Sequence, residues 1–267
     1  MLFRYFGVVF TLSWALWFAA DAISSPALRT LSVYSGVFTP GIVALAMTYW
    51  DRRGAGVRQL LARLVKIDVG ARWFVFALLF MATVKLLVAV LVRATTGAWP
   101  VFGDQPLPLM FGAAIMSTLL GGQIGEELGW RGYALPRMSR SLGLGPASLL
   151  LGIFWASWHL PLFFILDGDT LGQSFPFYLL QVTAISVAIA WVYMKTGGSL
   201  LITMLLHAAV NNTKDIVPSA MPGANNPWTL QASPVGWWTM AILWTCAAWF
   251  LFDMRRDTTV ARLAEVS

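Results

Sequence analysis

The chain has 267 residues, of which 58% are hydrophobic and 11% are charged, whereas an ordinary soluble domain has roughly 25% charged residues. This composition indicates a membrane protein and excludes a soluble enzyme, a disordered scaffold and a disulfide-stapled secreted module. The net charge of +6 does not indicate a nucleic-acid partner, because the basic residues lie between apolar runs and form no single basic face.

Eight apolar runs predict transmembrane helices, since a helix needs about 20 residues to cross a bilayer. In chain order the runs are Tyr5 to Ala22, Leu31 to Trp50, Trp73 to Val92, Leu107 to Ile124, Ala147 to Leu166, Phe175 to Met194, Ser199 to Asn211, and Trp237 to Phe252. The seventh run is short. The predicted fold class is all-α, a polytopic transmembrane helical bundle of about eight spans embedded in the lipid bilayer.

The basic residues between the runs predict the orientation. If the N-terminus is cytoplasmic, fourteen basic residues fall on the cytoplasmic side and three, Arg29, Arg93 and Lys214, on the other. Cytoplasmic loops carry an excess of lysine and arginine, so the N- and C-termini are both predicted to be cytoplasmic. Lys85 belongs to neither side, because it falls within the third apolar run.

The segment Asp51 to Arg72 is basic and has apolar residues at helical spacing. This pattern predicts an amphipathic helix on the cytoplasmic surface of the membrane. No internal repeat and no linker divides the chain, so residues 1–267 are predicted to form a single membrane-embedded domain.

A second interpretation treats the first 22 residues as a secretory signal peptide. Arg4 precedes an apolar run that ends in Ala20-Asp21-Ala22, and this order is typical of signal peptides. The run is long for a signal peptide, however, and the next run has the length of a return helix. A membrane-spanning hairpin is therefore the preferred interpretation.

Two adjacent carboxylates, Glu126 and Glu127, follow the fourth apolar run. On a helix Glu127 and Arg131 are four residues apart and can form an ion pair, whereas Glu126 points about 100° away and has no local partner. Repulsion between the carboxylates and a low-dielectric environment both favour protonation of one of them, which is how a general acid or base is made. The alternative is a structural ion pair that marks a helix end.

The chain has two histidines, and each falls at membrane depth. His159 follows Trp155 by four residues, and His207 precedes Asn211 by four residues, which places the latter two on one helix face. Taken singly, each histidine has a structural alternative, such as a hydrogen bond to a backbone carbonyl or to a neighbouring helix. Their coincidence with the pair of adjacent glutamates favours one shared site, and we expect a polar cavity in the cytoplasmic half of the membrane.

The ordered motifs resemble those of the CPBP family, also called the ABI family, of intramembrane endopeptidases. This family includes type II CAAX prenyl endopeptidases and bacteriocin-processing or immunity proteins. Its pattern is Glu-Glu-x-x-x-Arg, aromatic-x-x-x-His and His-x-x-x-Asn, with Phe as the commoner aromatic residue. The resemblance covers a catalytic core of about residues 107–212. The matching residues here are Glu126, Glu127 and Arg131, then Trp155 and His159, then His207 and Asn211.

The resemblance implies hydrolysis of a peptide bond in a membrane-associated protein or peptide, with prenylated CAAX proteins as the best-known substrates. It assigns water activation to Glu126 and His159, and oxyanion stabilisation to His207 and Asn211. The two remaining motif residues, Glu127 and Arg131, would support the site.

The resemblance leaves the cofactor open. A carboxylate, an imidazole and two side-chain donors can supply these roles with no cofactor or metal, and this is the preferred mechanism because the chain has no His-Glu-x-x-His motif. The alternative is zinc held by Glu126, His159 and His207, with water as the fourth ligand.

Two further functions stay open at the level of sequence. A non-catalytic relative would bind a peptide or partner protein in the same cavity, as a bacteriocin self-immunity protein or a scaffold. A transporter would use the intramembrane glutamate and histidines for proton coupling, although no repeat symmetry is visible. The chain is bacterial in style, and the expected location is the cytoplasmic (plasma) membrane of a bacterium.

Overall fold

The computed structural model describes residues 1–165, 170, 173–219 and 226–256. Within these residues every regular element is helical, which confirms the predicted fold class. The α-helices are α1 (Leu2–Asp21), α2 (Pro26–Ala62), α3 (Ala71–Thr96), α4 (Leu107–Leu120), α5 (Gln123–Gly129), α6 (Leu135–Leu142), α7 (Leu144–Trp158), α8 (Phe175–Lys195), α9 (Leu200–Thr213) and α10 (Pro234–Arg256).

Each predicted apolar run coincides with a helix, but the helices differ in length. Among the described residues, five helices are long and apolar enough to cross a membrane, namely α1, α2, α3, α8 and α10. A sixth crossing arises if α4 and the segment Gln123–Leu142, which meet at an angle of 58°, count as one broken span. The helix α7 is apolar but has 15 residues. The total of eight spans therefore stays a prediction.

Two of the predicted spans end earlier than expected. The fourth was expected to continue to Ile124, but α4 ends at Leu120, and Gly121 has an extended backbone. Two consecutive glycines follow Leu120, and glycine costs about 1 kcal/mol relative to alanine inside a helix. As a result, Glu126 and Glu127 lie on the separate short helix α5.

The fifth span was expected to reach Leu166, a residue outside the described ones. Instead α7 ends at Trp158, and a 3₁₀-helix follows from Leu160 to Phe163. Pro161 lies in this second helix, and proline cannot continue an α-helix because it lacks the backbone N–H and clashes with the preceding turn. His159 therefore lies directly after the end of α7, and not within the helix as the sequence predicts.

The basic segment after the second apolar run forms part of α2. The helix α2 is interrupted at Arg53, which has φ 55° and ψ −157°, and it continues to Ala62 before a 3₁₀-helix of three residues, Arg63–Val65. The predicted helix to Arg72 is therefore shorter than expected. Arg63 donates to the hydroxyl of Tyr193 at 2.8 Å, and this contact holds the segment against the end of α8.

The centre of the bundle consists of α8 and α9. In the apolar 18-residue stretch of α8 that could cross the membrane, 67% of the residues are buried within the protein, compared with 28% in the corresponding stretch of α1. Contacts with α3 and α4 cover α9, while α7 and α10 pack on α8. The third and seventh predicted spans thus meet at the centre, where α9 carries His207.

Some residues that bear on the orientation lie outside the described ones. They are Arg262, one of the fourteen basic residues on the predicted cytoplasmic side, the loop carboxylates Asp167 and Asp169, and the C-terminal residue Ser267. The cytoplasmic location of both termini stays a prediction.

Candidate active site

Close packing against α2 fixes the position of α5. A Cβ atom on Gly125 would lie 2.8 Å from the Cα atom of Phe38, and one on Gly129 would lie 2.5 Å from Pro40. On the α2 side, a Cβ atom on Gly41 would lie 2.7 Å from the carbonyl oxygen of Gly125. Small residues four positions apart let two membrane helices approach closely. This contact orients the glutamates between the two glycines of α5.

The expected ion pair between Glu127 and Arg131 is present and completely buried. Arg131 donates from Nη1 to Glu127 Oε1 at 2.8 Å. The two residues lie on either side of the start of a π-helical turn, Trp130–Ala134, and such turns are frequent at functional sites.

Glu127 also binds a histidine of the third motif. The Nδ1 atom of His207 lies 3.0 Å from Glu127 Oε1, the same oxygen that accepts from Arg131. An ionised carboxylate only accepts hydrogen bonds, so His207 carries a proton on Nδ1 and directs its Nε2 atom away from Glu127. The buried ion pair of Glu127 and Arg131 therefore orients the imidazole of His207.

Trp155 connects the three motifs. Its indole N–H donates to Glu126 Oε2 at 2.6 Å. The guanidinium of Arg131 lies 4.6 Å from the centre of its ring, and the ring of His207 meets it edge-on at 5.0 Å. Trp155 is 4% exposed, so these contacts form in a largely water-free environment, where a hydrogen bond to a carboxylate is strong.

His159 is held through the backbone of the same tryptophan. Its Nδ1 atom lies 2.9 Å from the carbonyl oxygen of Trp155, and a carbonyl oxygen accepts, so the proton is on Nδ1. The Nε2 atom of a neutral His159 is then a proton acceptor. Aromatic rings of Trp158 and Tyr178 pack edge-on against the imidazole at 4.7 and 5.6 Å. The side chain is half-buried.

Asn211 lies one helical turn beyond His207 on α9. Its side chain is exposed to a cavity that the site residues line. The following residue, Asn212, donates to Ser117 of α4 and to the carbonyl oxygen of Ala208. Asn212 therefore has a structural contact, whereas Asn211 presents its amide to the cavity.

The cavity has a volume of about 1100 Å³. Glu126, Trp155, His159, His207 and Asn211 all line it. The two adjacent glutamates therefore have different surroundings: Glu126 lines the cavity, and Glu127 does not.

The cavity lies toward one end of the bundle. Its lining includes Arg29 near the start of α2, Ser174 at the start of α8 and Lys214 after the end of α9. The basic segments around Arg58 and Arg137 lie at the opposite end. The sequence predicts both a cytoplasmic basic end and a cavity in the cytoplasmic half, and these two expectations are incompatible: in the predicted orientation the cavity lies in the other half.

The resemblance assigns water activation jointly to Glu126 and His159. The two side chains line the same cavity, but they are linked through Trp155, which donates to Glu126 from its indole and accepts from His159 at its carbonyl. Among the described residues, no group of three His, Cys, Asp or Glu side chains has an arrangement that could hold a metal ion. Glu126, His159 and His207 therefore do not fit a zinc site in this conformation.

Two contributors to the site escaped the sequence analysis. The indole donor of Trp155 was not expected, although the tryptophan itself belongs to a motif. The pair Gly125 and Gly129 was also overlooked, and its small-x-x-x-small spacing is a signal that sequence does contain. Lys85 was noticed as an intramembrane charge, and the structure places it on the cavity wall.

Comparisons with known proteins agree with the motifs. The model of a family described as type II CAAX prenyl endopeptidase Rce1-like matches residues 108–213. The chain is also similar to a protein named CAAX prenyl protease 2 from Methanococcus maripaludis, at 25% identity over 227 residues, which cover 80% of this chain and 83% of that protein. The matched segment contains all three motifs, so the resemblance seen in the sequence is confirmed. The chain is a membrane-embedded protease that is similar, over residues 108–213, to the Rce1-like family of type II CAAX prenyl endopeptidases.

Proposed function

We propose that the protein hydrolyses a peptide bond near the C-terminus of a membrane-associated protein, by attack of a water molecule that Glu126 activates. The observation that carries the proposal is the arrangement around Trp155. One indole N–H holds the carboxylate of Glu126 on the wall of a cavity that also exposes His159, His207 and Asn211.

In the first step Glu126 takes a proton from water, and the oxygen attacks the scissile carbonyl carbon. Trp155 occupies Oε2 of Glu126, which leaves Oε1 to accept this proton. The Nε2 atom of His159 is a second acceptor on the same wall and shares the base role. The carbonyl oxygen becomes a negatively charged oxyanion in the tetrahedral intermediate.

Stabilisation of the oxyanion falls to His207 and Asn211. The amide of Asn211 donates from its NH₂ group. His207 donates from Nε2 in its doubly protonated form, in which Nδ1 keeps its hydrogen bond to Glu127. Preorganised donors in a water-poor site are usually the largest contribution to such catalysis.

In the second step the carbon–nitrogen bond breaks, and the proton held by Glu126 passes to the leaving amine. The products are a new C-terminal carboxylate on the membrane-associated protein and a released peptide with a free amino group. No metal takes part in either step.

For the substrate class we propose proteins that end in a CAAX sequence with a prenylated cysteine. This class is supported by the names of the family and of the relative. We also propose a bacterial plasma membrane as the location; the apolar composition supports the integral membrane part of this proposal.

The decisive experiment uses purified protein and a prenylated peptide with a CAAX end, with products identified by mass spectrometry. Glu126→Gln should abolish release of the C-terminal fragment and leave peptide binding nearly unchanged, because the exchange removes a base without emptying space. Asp104→Asn is the control, since Asp104 is an exposed carboxylate that does not line the cavity. Wild-type turnover by Glu126→Gln would disprove the mechanism, and binding with no cleavage by the wild type would support the non-catalytic alternative.

A second experiment tests the metal-free mechanism. Cleavage should survive exhaustive chelation, because water activation is assigned to side chains alone. Zinc at one equivalent by elemental analysis, with activity lost on its removal and restored on its addition, would show that the zinc alternative is correct.

A further inference from the structure

Lys85 is an ammonium group buried in the middle of an apolar helix. It lies on α3, 14 residues after the first residue of that helix, and is 1% exposed. Its Nζ atom donates to Ser219 Oγ at 2.6 Å and to Thr239 Oγ1 at 3.3 Å. Charged side chains at membrane depth are costly, and they usually mark a functional site.

The contacts of Lys85 leave its charge without a carboxylate partner. An ammonium has three N–H donors, and the two recorded acceptors are neutral hydroxyls. Within the part of the chain that the structure describes, no salt bridge involves Lys85. Asp215 and Lys214 are the charged groups that act on it electrostatically, and because their signs are opposite, their effects partly cancel.

Lys85 lines the same cavity as Glu126 and His207. An anion that enters this cavity would therefore find a cation that is already desolvated and held by two hydroxyls. A peptide substrate carries such an anion at its C-terminal carboxylate. Charge-assisted hydrogen bonds to a carboxylate are about twice as strong as those between neutral groups.

The spacing between Lys85 and the catalytic residues suits a short peptide. The helices α3 and α9 pack against each other, and the hydrogen bond from Ser199 to the carbonyl of Lys66 lies close to the start of both. At 1.5 Å per residue, Lys85 is about 21 Å, His207 about 10 Å and Asn211 about 16 Å from these starts. The differences of about 5 to 10 Å along the bundle equal the length of about one to three extended residues.

We infer that Lys85 binds the C-terminal carboxylate of the substrate and thereby positions the scissile bond a short, fixed distance before the chain end. The inference rests on the proposed endopeptidase function and adds a specificity-determining residue to it. This role of Lys85 explains why the cavity extends beyond the catalytic groups. The region of the cavity between Asn211 and Lys85 would hold the part of the peptide that is released.

The test compares two prenylated peptides of the same sequence, one with a free C-terminal carboxylate and one with a C-terminal amide. Binding is measured by fluorescence anisotropy and cleavage by mass spectrometry. The wild type should bind and cleave the acid at least about tenfold better than the amide, as expected for a hydrogen bond to a charged group. Lys85→Met should lower binding and cleavage of the acid to the level of the amide, while values for the amide stay unchanged.

Lys214→Met is the matched control, because Lys214 is the other lysine on the cavity wall and the inference gives it no contact with the carboxylate. Lys85→Arg, which keeps the charge, should retain part of the preference. A melting curve in detergent verifies that each variant is folded, and Lys85→Gln serves as a second neutral variant. A preference that survives in both neutral variants, or that disappears in Lys214→Met, would overturn the inference.

Peptides with two, three and four residues after the scissile bond test the spacing. The preference for the acid should be clearly largest at one of these lengths, because a fixed ammonium fits one spacing best, and equal preference at all three lengths would contradict the positioning role. The two proposals fail in different ways. Equal cleavage of acid and amide would leave the endopeptidase function intact and refute the role of Lys85, whereas acid-selective binding without cleavage would support Lys85 and refute the endopeptidase function.

Discussion

Trp155 is the residue through which the chemical groups of the site are connected. Its indole N–H is bonded to Glu126, its carbonyl accepts from His159, and its ring contacts Arg131 and His207. A phenylalanine, the commoner residue at this position in the family, would keep the ring and the carbonyl contacts. A change from tryptophan to phenylalanine would therefore remove only the hydrogen bond from the indole N–H to Glu126.

Trp155→Phe should reduce turnover by about tenfold, because one hydrogen bond to a charged group contributes about 1.5 to 3 kcal/mol and the carboxylate of Glu126 would lose its fixed position. The fold should be retained. Trp244→Phe is the matched control, since the indole nitrogen of Trp244 is buried and has no partner among the described residues. Steady-state cleavage rates of the two variants check the prediction, and an equal loss in both would contradict it.

Arg131 and Glu127 form a completely buried ion pair. Removal of one member should destabilise the protein by about 3 to 5 kcal/mol, because it leaves an uncompensated buried charge. We therefore expect Arg131→Met to lower the melting temperature in detergent, and Glu127→Gln in the same chain to restore part of the loss. If the double variant is no more stable than Arg131→Met, the two charges do not act as a pair.

At the level of elements, α5 depends on contact with α2. The helix has seven residues, too few to be stable alone, so its direction is set by packing. Gly125 touches Phe38, and Gly129 touches Pro40 and Tyr5. A side chain at either glycine would therefore move α5, and the two glutamates with it, away from its present contact with α2.

Gly125→Ala should lower both stability and turnover, because its Cβ atom would lie 2.8 Å from the backbone of Phe38 and overpacking costs about 1 to 3 kcal/mol. Gly112→Ala on α4 is the matched control. A Cβ atom there meets nothing within 4 Å, and alanine is the better helix former, so stability should be unchanged or higher. Melting temperatures and cleavage rates are measured for both, and a harmless Gly125→Ala would show that the close approach is not required.

At the level of the whole molecule, the position of the cavity makes the orientation important for function. The basic segments and the cavity lie at opposite ends of the bundle. In the orientation that the charges predict, a substrate would enter from the non-cytoplasmic side or laterally from the lipid. In the reverse orientation the cavity would open to the cytoplasm.

Cysteine labelling in intact cells checks the orientation, with Cys246 replaced by alanine to remove the native thiol. Ser141→Cys lies at the end of α6, a helix where the sequence predicts a basic loop, and Asn226→Cys lies at the cavity end; both positions are exposed. Because basic loops stay cytoplasmic, an impermeant reagent should label Asn226→Cys in intact cells and Ser141→Cys only after the membrane is opened. The opposite pattern would reverse the predicted orientation.

Features that depend on composition and on local spacing can be predicted from the amino-acid sequence. Apolar runs of about 20 residues predict membrane-spanning helices, since a helix of that length crosses the bilayer and bonds its backbone polar groups within its own segment. The ion pair between Glu127 and Arg131 follows from four-residue helical spacing. The same spacing brought Asn211 within one turn of His207, and the order of the motifs indicated the family.

The way in which these residues combine depends on contacts between distant parts of the chain. Glu127 binds His207, which is 80 positions away in the chain, and Trp155 bonds to Glu126 across 29 positions. Such contacts depend on how α5, α7 and α9 pack, and helix periodicity contains no information about which faces meet. The break at Gly121 directed α5 away from α4, and the end of α7 at Trp158 moved His159 out of the helix. Both changes placed the chemical groups on one cavity at the end of the molecule opposite its basic segments.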